Sequence, residues 1–90
     1  MMANEKSLID MEVSIIFYTG FEKYLKKDSN KTLHLSLDNK EDIRSILNRF
    51  LPGDEMGFVG MVLVNKKITD FDYKVTSGDK IEVFPVIGGG

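Results

Sequence analysis

Polar and apolar residues alternate in two stretches of the first half of the chain, and a period of two is typical of half-buried β-strands. In residues 11–18 one side of the predicted strand carries Met11, Val13, Ile15 and Phe17. In residues 32–37 the corresponding side carries Leu33, Leu35 and Leu37. Gly20 ends the first strand, and residues 21–25 are predicted to form one helical turn. The short connection favours antiparallel pairing of the two strands.

The apolar spacing changes to a helical period in the middle of the chain. Apolar residues follow at intervals of three and four, which places them on one stripe of a helix: Ile43, Ile46, Leu47, Phe50 and Leu51. Asp38, followed three residues later by Glu41, predicts a capping box at the helix start. Pro52 and Gly53 predict its end.

The second half of the chain predicts further strands. After a loop predicted at 54–58, residues 59–64 are apolar at nearly every position, so this strand is either covered on both faces or exposes an apolar face to something else. A short extended segment is predicted at 68–69, a turn at 77–79 and a last strand at 80–84. This order of elements predicts an α+β fold of the β-grasp (ubiquitin-like) type, a mixed four- to five-stranded sheet with one main helix packed across one face.

The length of 90 residues suffices for one small domain. We expect a flexible leader at 1–9, a β-grasp domain at 10–85 and a flexible tail at 86–90. No stretch is long and apolar enough to cross a bilayer. The first residues do not form a secretory signal, so we expect a cytoplasmic protein with no membrane partner.

Composition excludes several kinds of chemistry. The chain has no cysteine, which rules out disulfides, thiolate-bound zinc, iron–sulfur clusters and a cysteine nucleophile. Its single histidine, His34, alternates with leucines and is expected on a solvent-exposed strand face rather than in a catalytic or metal site. Twelve basic and fourteen acidic residues give a net charge of −2, which provides no electrostatic drive toward nucleic acid.

The chain ends in three glycines, Gly88, Gly89 and Gly90. Glycine loses more backbone freedom on ordering than any other residue, so three in succession do not serve a packed core. Such a bare, extended tail can be threaded into a narrow active site of another protein, which makes the terminal carboxylate a candidate reactive group. The alternative is an incidental frayed end.

Three segments together resemble the ubiquitin-like sulfur carriers of the MoaD/ThiS superfamily: residues 64–68 (Val-Asn-Lys-Lys-Ile), residues 77–85 with a Gly-Asp turn before the last strand, and the glycine terminus. The resemblance spans about residues 11–90. Phe84-Pro85 and the segment 17–25 are more similar to MoaD, the small subunit of molybdopterin synthase. The tail after Pro85 is closer to some ThiS-type tails, and Lys66 occupies a hairpin position that is often glycine.

This resemblance implies a sulfur carrier that is not itself an enzyme and has no catalytic or metal-binding residue. A partner enzyme would use ATP and Mg²⁺ to adenylate Gly90, and a sulfur donor would then leave a C-terminal thiocarboxylate; the chain itself would bind no cofactor. The implied partners are that adenylating enzyme and the molybdopterin synthase large subunit or another sulfur-accepting synthase. A ThiS-type carrier for thiamine or other sulfur transfer, a protein modifier conjugated to lysines, and trimming of Gly90 before use remain open.

Threading the tail requires a docking surface, and alternation along the last strand suggests where it lies. If Ile81, Val83 and Pro85 face the helix, then Phe84 points outward, and Met61 and Leu63 can lie beside it. The alternative is that Met61 and Leu63 are buried and that Val62 and Val64 are exposed. We predict partner contacts from Phe84, Met61, Leu63, Pro85, Val86 and Ile87, and threading of Gly88 and Gly89 ahead of Gly90.

Overall fold

The computed structural model describes residues 11–21, 31–51 and 53–86, with only the backbone at 54–56. Its elements are β1 (Met11–Phe17), β2 (Thr32–Leu37), helix α1 (Ile43–Asn48), a 3₁₀ helix (Gly53–Phe58), β3 (Val59–Val64), β4 (Lys67–Ile68) and β5 (Lys80–Pro85). The strands form one sheet in the order β2-β1-β5-β3-β4. A mixed five-stranded sheet with one helix confirms the predicted β-grasp architecture.

In this sheet β1 and β5 are parallel. The other neighbouring strands are antiparallel, including the predicted β1–β2 pair. The predicted inward sides are correct: Val13, Ile15 and Phe17 are buried in β1, and Leu37 is buried at the end of β2. Met11, Leu33 and Leu35 pack against this core from its margin. His34 is exposed, as expected. The core therefore lies between α1 and the inner face of the sheet.

Helix α1 is shorter than predicted and has a different N-cap. Asp42, not Asp38, caps it, because the Asp42 carboxylate accepts a hydrogen bond from the Ser45 amide at 2.8 Å. The amides of Ile43 and Arg44 bond to carbonyls of the 71–73 segment, so tertiary contacts fix the helix start where the capping-box pattern does not. Glu41 instead forms an ion pair with Arg49.

The end of α1 also precedes the predicted Pro52–Gly53 stop. The helix ends at Asn48, and the Arg49 amide bonds back to the carbonyls of Ile46 and Leu47. Phe50 and Leu51 still reach the core from the following turn. The predicted loop at 54–58 is wrong, since this segment belongs to the 3₁₀ helix. The predicted turn at 21–25 lies outside the described residues except for Phe21, which is fully buried.

The start of β5 is fixed by a buried carboxylate. Asp79 is 5% exposed and accepts hydrogen bonds from Asn65 Nδ2, the Tyr73 hydroxyl and the Thr76 amide, each at 2.9 Å. Burial alone would raise the pKa of Asp79, but these hydrogen bonds outweigh it and lower the pKa below its usual value. The network thus joins the turn before β5 to the hairpin between β3 and β4.

Candidate docking face and tail root

The tail leaves the domain from the end of a central strand. Pro85 is half-buried at the end of β5, and Val86 is 48% exposed. The Val86 amide donates a 2.8 Å hydrogen bond to the Phe58 carbonyl, so the backbone is still held at this first predicted tail residue. Ile87, Gly88, Gly89 and Gly90 lie outside the described residues, and their roles stay predictions.

We call Pro85 and Val86 together the tail root. Two glycines allow other segments of the chain to pack closely around Pro85. A Cβ on Gly60 would lie 2.7 Å from the Pro85 carbonyl oxygen, a clash with backbone. Gly20 has a φ of +122°, which side chains rarely adopt, and its Cβ would lie 3.0 Å from Pro85 Cγ. Sequence reasoning missed this role of both glycines, because the contacts join residues distant in the chain.

Aromatic rings support the tail root from the core side. Phe21 meets Phe58 edge-on with ring centroids 5.5 Å apart, and Phe17 lies 5.3 Å from both Phe21 and Phe50. Such tilted and edge-on pairs add about 0.5–1.5 kcal/mol each to the area they bury. Phe58 supplies the carbonyl that holds Val86, so the cluster fixes the position from which the tail begins.

The outer face of the sheet next to the tail root carries apolar side chains, which we call the docking face: Met61, Leu63, Ile68 and Phe84. Met61 is 37% exposed and pairs with the half-buried Phe84 in the β3–β5 register. Leu63 is half-buried and pairs with Ile68, which is 75% exposed. Val62 and Val64 are buried, so the alternative orientation of β3 is wrong. Binding of a partner to this face stays a prediction.

A hydrogen-bonded set beside Phe84 stiffens the docking face. Tyr18 stacks on Phe84 at a centroid distance of 4.5 Å, and its hydroxyl donates to Glu82 Oε2 at 2.6 Å. Lys66 Nζ lies 3.3 Å from the same oxygen. The hydrogen bond from Tyr18 is the main cause of a lowered pKa at Glu82, and it raises the pKa of Tyr18 itself. Because of these contacts, Glu82 can remain charged although it is only 8% exposed and lies next to apolar side chains.

Sequence reasoning did not single out Tyr18 or Glu82. Strand parity was an available signal, because both follow the alternation that places Phe84 on the outer face. In the described part of the chain, no three His, Asp or Glu side chains gather closely enough to hold a metal ion. Nor is any described helix long and apolar enough to span a membrane.

Sequence comparison assigns the family. The ThiS family profile matches residues 21–90, a span that includes β2 to β5, the tail root and all three terminal glycines. The chain belongs to the ThiS family. This confirms the predicted MoaD/ThiS superfamily, whose members are small ubiquitin-like carriers or modifiers and are not catalytic themselves. A comparison with curated proteins finds no match.

Solved structures share the fold at low sequence identity. The HVO 2177 protein of Haloferax volcanii is 20% identical, with a TM-score of 0.66 over 91% of this chain and 89% of its own. SAMP1 of Haloferax volcanii is 16% identical, with a TM-score of 0.63 over 88% and 99%. A Pyrococcus furiosus protein described as molybdopterin converting factor subunit 1 is 17% identical, with a TM-score of 0.64 over 86% and 99%. These similarities establish the fold.

Proposed function

We propose that this chain is a sulfur carrier whose Gly90 carboxylate is adenylated by a partner enzyme and then converted to a thiocarboxylate. The observation that carries the proposal is the family match through Gly90, combined with a tail root held by Gly60, Gly20 and the Phe58 carbonyl. A fixed root followed by glycines is suited to presenting a terminal carboxylate to another active site. The proposal requires that Gly90 carry a free carboxylate in the cell.

The chemistry needs two displacements. A terminal carboxyl group has a reference pKa of about 3.3–3.7 and is ionised at neutral pH, so its oxygen can attack the α-phosphorus of ATP and release pyrophosphate. Mg²⁺ and cationic groups of the partner offset the charge repulsion. A hydrosulfide equivalent then attacks the acyl carbon and AMP leaves, which gives a thiocarboxylate and a proton. This chain supplies the reacting carboxylate, and the partner supplies the catalytic groups.

The anchored root limits how far the tail reaches. Because the Val86 amide is still hydrogen-bonded, the extending segment is residues 87–90, which span at most about 13–14 Å. Fixing four backbones costs about 4–8 kcal/mol. At about 25 cal/mol per Å² this corresponds to about 160–320 Å² of apolar surface removed from water, before the general cost of association. Met61, Phe84 and Ile68 are the exposed and half-exposed side chains beside the root that can supply this area.

We propose that the sulfur is used in molybdopterin biosynthesis, with a molybdopterin synthase large subunit as the second partner. The support is the Phe84-Pro85 sequence before the tail and the fold shared with the Pyrococcus furiosus molybdopterin converting factor subunit. Transfer to thiamine or to another acceptor is the alternative within the same carrier chemistry. We place the reaction in the cytoplasm, where ATP is available.

A protein modifier is the second candidate function. The observation that favours it is the fold shared with SAMP1, a small archaeal modifier protein. The two functions share the adenylation step and differ in what attacks the acyl carbon, which is sulfur for a carrier and a lysine amine for a modifier.

ATP–pyrophosphate exchange tests the shared first step. The chain is mixed with the adenylating enzyme of its own genome, ATP, Mg²⁺ and labelled pyrophosphate. We expect exchange with the full chain and none with a chain lacking residues 88–90. Equal exchange with both chains would contradict adenylation at Gly90, as would no exchange with the full chain.

A further inference from the structure

A hollow of about 400 Å³ lies on the outer face of the sheet, adjoining the docking face. Ile16 contributes apolar surface to it, and Ser14, Thr32 and His34 contribute hydroxyl and imidazole groups from β1 and β2. Lys66 and Lys80 line it from the opposite side. The hollow shares Glu82 with the polar set beside Phe84, so a partner that covers the docking face also reaches the hollow.

Lys66 holds an unfavourable backbone conformation at this position. Its φ is +73°, and the preceding Asn65 has a φ of +53°, so both central residues of the β3–β4 turn are left-handed. Asparagine tolerates this region, whereas lysine adopts it at a cost that glycine does not incur. A two-residue hairpin turn of this type requires left-handed backbone at both central residues. Here it places an ammonium group, whose side chain is 79% exposed, at the edge of the hollow.

Within the described part of the chain, Lys67, Lys74 and Lys80 form no ion pair, and of these three Lys80 lines the hollow. Beside α1, Asp72 pairs with Arg44 and Glu41 pairs with Arg49. The Lys80 ammonium forms no ion pair with any described residue, although the whole chain has a net charge of −2. Lys66 pairs with Glu82, and Lys80 also lines a smaller adjoining hollow together with Glu12 and Asp79. The two lysines and Glu82 therefore give the larger hollow a formal charge of +1, beside its hydroxyl and imidazole groups.

We propose that the hollow receives an aspartate or glutamate side chain of the protein that docks on this face. The identification of that protein as the adenylating enzyme rests on the proposed function. The methylene groups of the acidic residue would pack on Ile16, and its carboxylate would lie between Lys80 and Lys66. A phosphate group fits less well, because it brings more negative charge next to Glu82 than a carboxylate does, and because the amides of Asn65 and Lys80 are already hydrogen-bonded between these two residues.

Kinetics with the adenylating enzyme test the role of the lysines. Lys80→Glu should raise the KM for this chain about five- to tenfold at low salt, leave kcat unchanged at saturation, and lose most of this effect in high salt. Lys67→Glu is the matched control, because Lys67 adjoins the same turn but does not line the hollow, and it should change the KM less than about twofold. Equal effects of the two reversals would overturn the proposal.

Lys66→Gly separates binding from stability. Glycine removes the left-handed strain, and the buried Glu82 keeps its hydrogen bond from Tyr18 when the Lys66 ammonium is lost, so the melting temperature should not fall. The KM should nevertheless rise about two- to fivefold. A lower melting temperature with an unchanged KM would place Lys66 in a purely structural role and contradict the proposal.

A peptide probe tests the hollow without any enzyme. A short peptide of alternating glutamate and leucine should shift the amide NMR signals of Ser14, Thr32, His34 and Lys80, whereas the same peptide with lysine for glutamate should not. No selective shift would overturn the proposal, and so would equal shifts from inorganic phosphate. If the full chain is not adenylated but the peptide shifts these signals, the proposed function fails, while the proposed binding of an acidic side chain in the hollow stands.

Discussion

Tyr18 lies flat against Phe84, with ring centroids 4.5 Å apart and ring planes inclined by 8°. The contact joins the end of β1 to the strand that carries the tail. Because the Tyr18 hydroxyl also bonds to Glu82, one side chain fixes both an apolar and a charged group on the outer face. Phe84 is thereby held in position, which would reduce the ordering cost of the proposed docking.

Phe84→Ala should weaken partner binding more than it lowers stability. Phe84 is half-buried on the outer face, so its loss should lower the free energy of unfolding by about 1–2 kcal/mol. We expect a larger effect on binding to the adenylating enzyme, because the ring lies beside Met61 at the centre of the docking face. Denaturant unfolding and calorimetric binding measure the two effects.

The neighbouring Val83→Ala is the matched control. Val83 is fully buried on the inner face, so its truncation should cost about 2–3 kcal/mol of stability and leave affinity unchanged under conditions where the variant is folded. If Phe84→Ala loses stability like Val83→Ala and binds with normal affinity, Phe84 belongs functionally to the core.

Gly60→Ala should displace the tail root. The added Cβ would lie 2.7 Å from the Pro85 carbonyl oxygen, so the backbone must move and the hydrogen bond from Val86 to Phe58 should weaken. We expect a loss of about 1–3 kcal/mol in stability and faster hydrogen exchange at the Val86 amide. Gly57→Ala is the control, since nothing lies within 4 Å of its added Cβ. Unchanged exchange at Val86 in Gly60→Ala would refute this account of the root.

The sequence predicts the sheet well where a local pattern decides the structure. The alternation in 11–17 and 32–37 correctly indicates which residues face the core, and parity in the last strand correctly places Phe84 outside. The sequence does not decide which side of the apolar run 59–64 faces the core, because either parity buries large apolar side chains. The structure resolves this question, since the β3–β5 register, with an irregularity between Val59 and Met61, places Met61 beside Phe84.

Contacts between distant segments account for what the sequence did not predict. Asp42 caps α1 because hydrogen bonds join the start of the helix to the 71–75 segment. These contacts include an antiparallel bridge between Asp42 and Lys74. A search for a local capping box selects Asp38 instead. The close approach of Gly60 to Pro85 likewise has no local signature, although it determines where the tail begins.

Asp79→Asn should change how stability depends on pH. The pKa of Asp79 is lowered in the folded state, so its contribution is fully present above the unfolded pKa of about 4 and is lost as the pH falls through the folded value. The variant should lose about 1–3 kcal/mol near neutral pH, since an amide cannot accept all the donors around Asp79. The difference in the free energy of unfolding between wild type and variant should become smaller below about pH 4. If urea unfolding curves give the same difference at every pH between 6 and 3, the Asp79 carboxylate does not contribute in this way.

Gly89→Trp should leave the fold intact and impair activation. Gly89 belongs to the segment that the sequence predicts as a flexible tail, so we expect an unchanged melting temperature. A bulky side chain should block entry into a narrow site and slow adenylation or later sulfur delivery. Deleting Gly90 should act in the same way, whereas Ile68→Ala, a change on the docking face, should raise the KM and spare the rate at saturation. A normal transfer rate with Gly89→Trp would count against threading.

Intact mass spectrometry tests the central claim most directly. The full chain is incubated with its adenylating enzyme, ATP, Mg²⁺ and a sulfur source, and the mass of the product is compared with a reaction lacking ATP. The account predicts a gain equal to the replacement of one oxygen by one sulfur, located at Gly90 by fragmentation. An unchanged mass in an otherwise active system would contradict it, and so would adducts joined to lysines without any thiocarboxylate.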